Sequence, residues 1–202
     1  MTGLLIQERA VVVPGEALAA GLDYLPGDYT YREGDMIYSK SLGLATVAGR
    51  VLRITPLAGP YVPRFGDKII GQVIDITMSG WRISTGTAYS ALLNVKDATR
   101  RFVRKTDDLS KMMAIGDAVV VKIVNVTSQR LIDVIMTEPG LHRISGGRII
   151  QMNSQKVPRV IGKQGSMISL IKDKTGCSIT VGQNGLVWIK GESGNEQIAE
   201  QA

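Results

Sequence analysis

Short apolar runs broken at close intervals open the chain, the pattern of strands and not of helices. In residues 1–65, Ala10 to Val13, Met36 to Ser39 and Ala45 to Ile54 read as strands. They are separated by Val13-Pro14-Gly15-Glu16, Pro26-Gly27-Asp28 and Pro56. Residues 66–138 hold five more: Lys68 to Ile76, Trp81 to Thr85, Tyr89 to Val95, Ala118 to Val126 and Leu131 to Met136. Ser79-Gly80 turns between the first two, and five short strands in one such stretch predict an OB-type barrel, a fold that commonly binds oligonucleotides. One phrase recurs: Gly34-Asp35-Met36-Ile37, Gly66-Asp67-Lys68-Ile69 and Gly116-Asp117-Ala118-Val119. A Gly-Asp turn followed by a β-branched run predicts a strand entry in a small barrel at each copy. The spacings of 32 and 50 residues are too uneven for a stacked repeat.

After Glu138-Pro139-Gly140 the pattern changes. Gly147 to Asn153 reads as a strand, and Pro158-Arg159-Val160-Ile161 as one helical turn with Pro at its first position. Gly162-Lys163-Gln164-Gly165 follows, with Ser166 expected to cap a helix over 167–174. Met167, Ile168, Leu170 and Ile171 give that helix an apolar face, and Lys172, Lys174 and Gly176 form its ending. Cys177 to Val181 and Leu186 to Lys190 read as two strands joined near Asn184-Gly185, and a further helix begins at Glu192.

Charge changes this picture by segment. Residues 1–65 hold six basic and six acidic residues, 66–138 ten and eight, and 139–202 eight and four, so the net charge of +6 concentrates toward the C-terminus. A basic balance of this kind suits an anionic partner. The neutral first segment suits contact with protein, either as a domain of its own or as a β appendage of the middle one. The 202 residues include one His and one Cys, which excludes an internal disulfide and a zinc site of Cys and His within one chain. His142, in Pro139-Gly140-Leu141-His142-Arg143, is expected in an exposed turn, and Cys177 in a core. No run approaches the ~18 apolar residues of a membrane span, and the first nine residues lack the pattern of a signal peptide, so a cytoplasmic protein without membrane contact is expected.

The long connection from Asn94 to Ile115 carries Arg100-Arg101-Phe102-Val103-Arg104-Lys105, then Asp107-Asp108, which fits a capped helix start better than a pair of metal-binding carboxylates. The cations are candidates for a nucleic-acid backbone. Phe102 is open to two readings, a stacked base or a plug for the barrel.

Strand, helix, Gly-x-x-Gly, helix, strand, strand, helix is the order of a type I KH domain, and Val160-Ile161-Gly162-Lys163-Gln164-Gly165 resembles its signature. Two glycines let a sugar-phosphate chain approach the backbone, and the helix that follows lends partial positive charge. The candidate RNA-binding residues are therefore Arg159, Gly162, Lys163, Gln164, Gly165 and Ser166, with a base groove of Val160, Ile161, Ile168 and Ile179. A KH fold can also serve as a docking module, and both roles stay open for this loop.

The middle segment is similar to S1-type RNA-binding domains through Gly66-Asp67-Lys68-Ile69-Ile70-Gly71-Gln72-Val73 and Gly116-Asp117-Ala118-Val119-Val120-Val121-Lys122-Ile123. Its candidate RNA-binding residues are Trp81, Arg82, Arg100, Arg101, Arg104, Lys105 and Lys122. Ala91-Leu92-Leu93-Asn94 departs from that family by lacking an aromatic or His, so backbone contact through cations is the safer expectation. The expected fold is thus mainly β with a C-terminal α+β domain: a small N-terminal β domain over 1–65, an OB-fold (S1) barrel over 66–138 and a type I KH domain over 139–202, which allows for a domain cut short at residue 202.

Together with Val13-Pro14-Gly15-Glu16 in the first segment, this order resembles the KH-bearing RNA-binding cap subunit of the archaeal exosome. The zinc-ribbon kind of cap subunit is excluded by the single Cys. The resemblance implies a trimeric cap, built from copies of this chain or of the zinc-ribbon subunit, seated by the N-terminal domain on a hexameric ring of RNase PH-like subunits. It implies single-stranded RNA as ligand and no catalytic residue, metal or cofactor in this chain, since the phosphorolytic sites belong to the ring. The alternative is a transcription elongation or termination factor, which also places S1 before KH. An exoribonuclease or polynucleotide phosphorylase would need several hundred further residues.

Overall fold

The computed structural model describes residues 3–100, 104 and 107–201. The chain divides into two compact units, Met1–Gly59 and Pro60–Ala202. The first is built of β1 (Gly3–Leu4), β2 (Val11–Val12), β3 (Ala17–Ala20), β4 (Leu25–Pro26), β5 (Thr30–Glu33), β6 (Met36–Ser39), β7 (Gly43–Ala48) and β8 (Val51–Pro56). These form two open four-stranded sheets, β1-β3-β6-β5 and β2-β7-β8-β4. Leu52 and Ile54 of β8 point inward while Arg53 and Thr55 point out, and with the consecutive Leu18 and Ala19 at an irregularity in β3 they join Val12, Ile37 and Ala45 in one core. Residues 45–54, expected as a single strand, are a hairpin in which Ala48 pairs with Val51 across Gly49-Arg50. Gly-Arg, with neither a proline nor an Asn or Asp, is a weak turn signal inside an apolar run.

In the second unit, β9 (Lys68–Thr77), β10 (Gly80–Ser84), β11 (Ser90–Asn94), β12 (Ala118–Val126) and β13 (Ile132–Ile135) close a barrel in the order β10-β11-β13-β12-β9. A short helix, α1 (Val95–Ala98), follows β11, and one 3-10 turn, Leu109–Lys111, is capped by the Asp108 side chain. Within the barrel only β11 and β13 pair in parallel, which is the closure of an OB fold. The Gly-Asp copies at 66 and 116 enter β9 and β12, and the copy at 34 enters β6 of an open sheet.

Two barrel strands, β9 and β12, are apolar on both sides over part of their length. Ile69, Val119 and Val121 fill the barrel, whereas Ile70 and Val120 point outward yet are buried with Leu141, Ile144 and Trp188 in a second core. That second core joins the barrel to the C-terminal elements, β14 (Arg148–Gln151), α2 (Val157–Ile161), α3 (Ser166–Thr175), β15 (Ser178–Val181), β16 (Leu186–Lys190) and α4 (Ser193–Gln201). Their sheet runs β14-β16-β15, all antiparallel, with Ile179, Val187, Ile189 and Cys177 packed under the helices and Trp188 on the opposite face against the barrel. A strand buried on both sides loses the two-residue alternation.

The stretch around His142 is not an exposed turn. His142 accepts a hydrogen bond from Val120 N at 2.8 Å through its carbonyl, Ile144 N donates to Ala118 O at 2.8 Å, and Leu141 and Ile144 are buried. The imidazole packs edge-on against Trp188. Pro139-Gly140 makes the turn, and the residues after it run along β12 as part of the joint.

Candidate nucleic-acid interface

The Gly162–Gly165 turn forms because α2 must end within a few residues of the start of α3. Gly162 sits at φ 73 and ψ 178, and a Cβ there would lie 2.6 Å from Met167 Cγ and 2.8 Å from Met167 N. No side chain fits. Gly165 has open space but a φ of 82, so its requirement is conformational. Between them Lys163 and Gln164 are exposed, with Gln164 itself in the left-handed region at φ 54. Ser166, expected as the cap, is instead the first helical residue at φ −60 and ψ −42, and Gly165 occupies the cap position. A capping hydroxyl needs an extended residue, which Ser166 is not. No side chain caps the first turn of α3, where the Ser166 N–H donates to Lys163 O and Met167 N packs under Gly162.

Arg159 is exposed one turn earlier, and neither it nor Lys163 makes an ion pair among the described residues. Val160, Ile168 and Ile179 line a cavity of ≈ 330 Å³ with Ile150, Met152 and Met167, while Ile161 is not on its wall. Glu200 of α4, paired with Arg148 at 2.6 Å, also lines the cavity.

The barrel distributes its candidates differently. Trp81 is 0% exposed, and its indole N–H donates to Met113 O at 3.0 Å. It is a core residue and offers no ring to a base: inward and outward positions alternate along β10, and Trp81 takes an inward one. Arg82 is outward and exposed, opposite Leu92 of β11 and Asp75 of β9. Lys122 is held by both Glu138 oxygens at 2.8 and 2.9 Å, so the free cation expected there is neutralised. Arg100 and Arg104 are exposed, whereas Arg101, Phe102 and Lys105 lie outside the described residues. Asp107 accepts from Arg104 N, and hydrogen bonds from the Ser110 side chain and backbone hold the Asp108 carboxyl below its usual range, so acids stand beside Arg104. Among the described residues no three His, Cys, Asp or Glu side chains gather in a metal-binding group, and no helix is long and apolar enough to cross a membrane.

One residue with a decisive place carries only a turn signal in the sequence. Asn184 is 9% exposed, and its side chain accepts from Ile70 N at 3.3 Å and donates to Ile70 O at 2.7 Å and Thr85 O at 2.9 Å. Gln183 N donates to Lys68 O at 2.8 Å beside it. The hairpin between β15 and β16 thus docks on the barrel backbone and holds the Gly162–Gly165 turn and the barrel in one unit. An Asn before Gly has the same sequence signal whether it only turns the chain or also reaches a neighbour.

Comparison with known proteins agrees with this architecture. The KH domain family matches residues 147–202, and the family described as the exosome RNA binding protein RRP4 N-terminal domain matches residues 9–58. Exosome complex component Rrp4 of Methanothermus fervidus is 38% identical over 199 residues, covering 98% of this chain and 88% of its own. The Rrp4 components of Thermococcus kodakarensis and Pyrococcus furiosus are each 39% identical over 208 residues, across 100% of this chain and 80% and 78% of theirs. A crystal structure described as that of an exosome complex RNA-binding protein superposes with a TM-score of 0.62 at 32% identity, covering 70% of this chain and 82% of that one.

Proposed function

Because this chain belongs to the Rrp4 family of exosome complex components, we propose that it is a non-catalytic RNA-binding subunit that caps an exosome ring and feeds it single-stranded RNA. The observation that carries this reading is the Gly162–Gly165 turn. It offers at one place bare backbone, the uncapped start of α3 and the exposed cations Arg159 and Lys163, which make no ion pair among the described residues; this is what a sugar-phosphate chain needs. Arg82, Arg100 and Arg104 extend the basic surface on the barrel.

The first unit is the docking element in this reading. Val11 of its second sheet and Val13 just after β2 are 61% and 53% exposed, and Leu42 and Leu57, hydrogen-bonded to each other just outside β7 and β8, are also exposed. An apolar outer face on a segment of zero net charge suits a protein surface and not RNA. The partners proposed are RNase PH-like ring subunits, and further copies of this chain or of a zinc-ribbon subunit would complete a trimeric cap. Degradation then takes place in the ring, in the cytoplasm, with this chain supplying capture and orientation.

Size-exclusion chromatography with light scattering, on the chain alone and mixed with a reconstituted ring, tests this when an RNA decay assay follows on the same fractions. The expected result is co-elution, no decay by the chain alone and faster or more processive decay by the complex. Absence of association would move the weight to a free RNA-binding factor of the transcription kind, and decay by the chain alone would refute a non-catalytic role.

A further inference from the structure

With Trp81 buried, Tyr89, 41% exposed just ahead of β11, is an exposed aromatic of the barrel whose ring lies against a cation. The guanidinium carbon of Arg130 lies 5.8 Å from the centre of its ring. β11 and β13 run parallel with Ala91 beside Ile132, so the residues two places before these positions meet at one end of the barrel. We propose that Tyr89 and Arg130 form a stacking station for one base of single-stranded RNA. This deepens the reading of the chain as an RNA-binding subunit and rests on it.

Arg130 is where a side chain is costly to keep. Its φ is 63, a left-handed conformation that favours glycine or asparagine. The turn is closed without its side chain, by Thr127 N on Leu131 O at 2.9 Å and Leu131 N on the Thr127 hydroxyl at 3.0 Å. The guanidinium makes no ion pair among the described residues, and it lies over the tyrosine ring. An arginine held in a left-handed conformation, without an acid partner among the described residues and laid on an exposed ring, points to a role for the cation itself. A guanidinium on one face of a tyrosine leaves the other face for a base and keeps N–H donors for the adjoining phosphate.

The ring is held in place. The Thr85 hydroxyl donates to Tyr89 O at 2.6 Å, and Asn184 Nδ2 donates to Thr85 O, so the loop carrying Tyr89 is tied to the hairpin of the KH fold. The neighbouring surface suits a nucleotide strand. Ser84 pairs with Ser90, Arg82 with Leu92, and Leu131 beside Arg130 is 62% exposed, which supplies hydroxyl, cation and apolar surface in turn. Two acids share this register: Asp133 beside Leu92 is engaged by Asn125 Nδ2 at 3.0 Å, and Asp75 of β9 stands opposite Arg82.

The full chain, single-stranded RNAs with 2-aminopurine at successive positions and fluorescence anisotropy test the station. Tyr89→Ala is expected to weaken binding about 5- to 150-fold, the loss of one base stack, and to abolish the quenching of 2-aminopurine at one position. Tyr89→Phe, which keeps the ring, should bind within about twofold of the parent. Arg130→Gly should weaken binding several-fold while its thermal midpoint holds or rises, because glycine relieves the left-handed backbone. Parental binding by both Tyr89→Ala and Arg130→Gly would overturn the station and leave the RNA-binding reading standing. Weakened binding by Tyr89→Ala with quenching intact would also overturn it, and failure of the parent chain to bind any of these RNAs would refute the RNA-binding reading itself.

Discussion

Single residues decide how the second unit holds together. Asn184 satisfies three backbone groups of Ile70 and Thr85, and Asn184→Ala leaves them buried without partners. A loss of about 2–4 kcal/mol is expected in denaturant unfolding. Asn184→Asp should restore little of it, since both donated bonds disappear and a charge is buried. Trp81→Phe keeps an aromatic in the barrel but removes the donor to Met113 O, so about 1–3 kcal/mol of stability should go. RNA affinity should stay at the parental value in filter binding, because no face of Trp81 reaches the surface. A weakened affinity in a folded Trp81→Phe protein would contradict this placement.

At the level of elements, the turn between α2 and α3 separates two uses of glycine. Gly162→Ala places a Cβ against Met167 Cγ and Met167 N, so the helix pair must shift, and a loss of about 1–3 kcal/mol is expected in thermal or denaturant melts. Gly165→Asp meets only Ile168 Cγ2 at 3.9 Å, and the fold should survive it. It puts a negative charge where the phosphate is proposed to sit, so RNA binding should fall by at least about tenfold. A folded Gly165→Asp protein that binds RNA like the parent would remove the turn from the RNA site. Both glycines stand out in the sequence as a pair and both hold a positive φ, but nothing in the spacing says that only the first is also sterically closed. That distinction comes from Met167, five residues beyond the first glycine and folded back on it by α3.

For the whole molecule, the salt dependence of RNA binding counts the cations engaged. Arg100 and Arg104 are exposed, and Arg104 stands beside Asp107 and Asp108. Replacing both arginines by alanine should reduce the slope of log affinity against log salt by roughly 0.7 for each phosphate that is no longer neutralised. An unchanged slope would identify them as solvated charges balanced by their acidic neighbours. Lys122→Ala should leave the slope unaltered, since Glu138 already takes its charge.

Wherever neighbours in the chain are enough, the pattern of residues suffices to place the elements. β6, β12 and β16 fall where the alternating and β-branched runs put them, and the order of elements around Gly162–Gly165 is by itself that of the KH fold. Strand periodicity, turn chemistry and helix ends are local, so a linear sequence carries them. Pairings between distant segments are another matter. Whether Trp81 faces in or out, whether Lys122 has an acid beside it and whether Asn184 merely turns or also grips Ile70 depend on residues 16 to 114 positions away. Ile70 and Val120 look like ordinary strand residues until Leu141, Ile144 and Trp188 close over them. Burial and charge compensation belong to pairs of residues brought together by the fold, and no residue type announces its partner in advance.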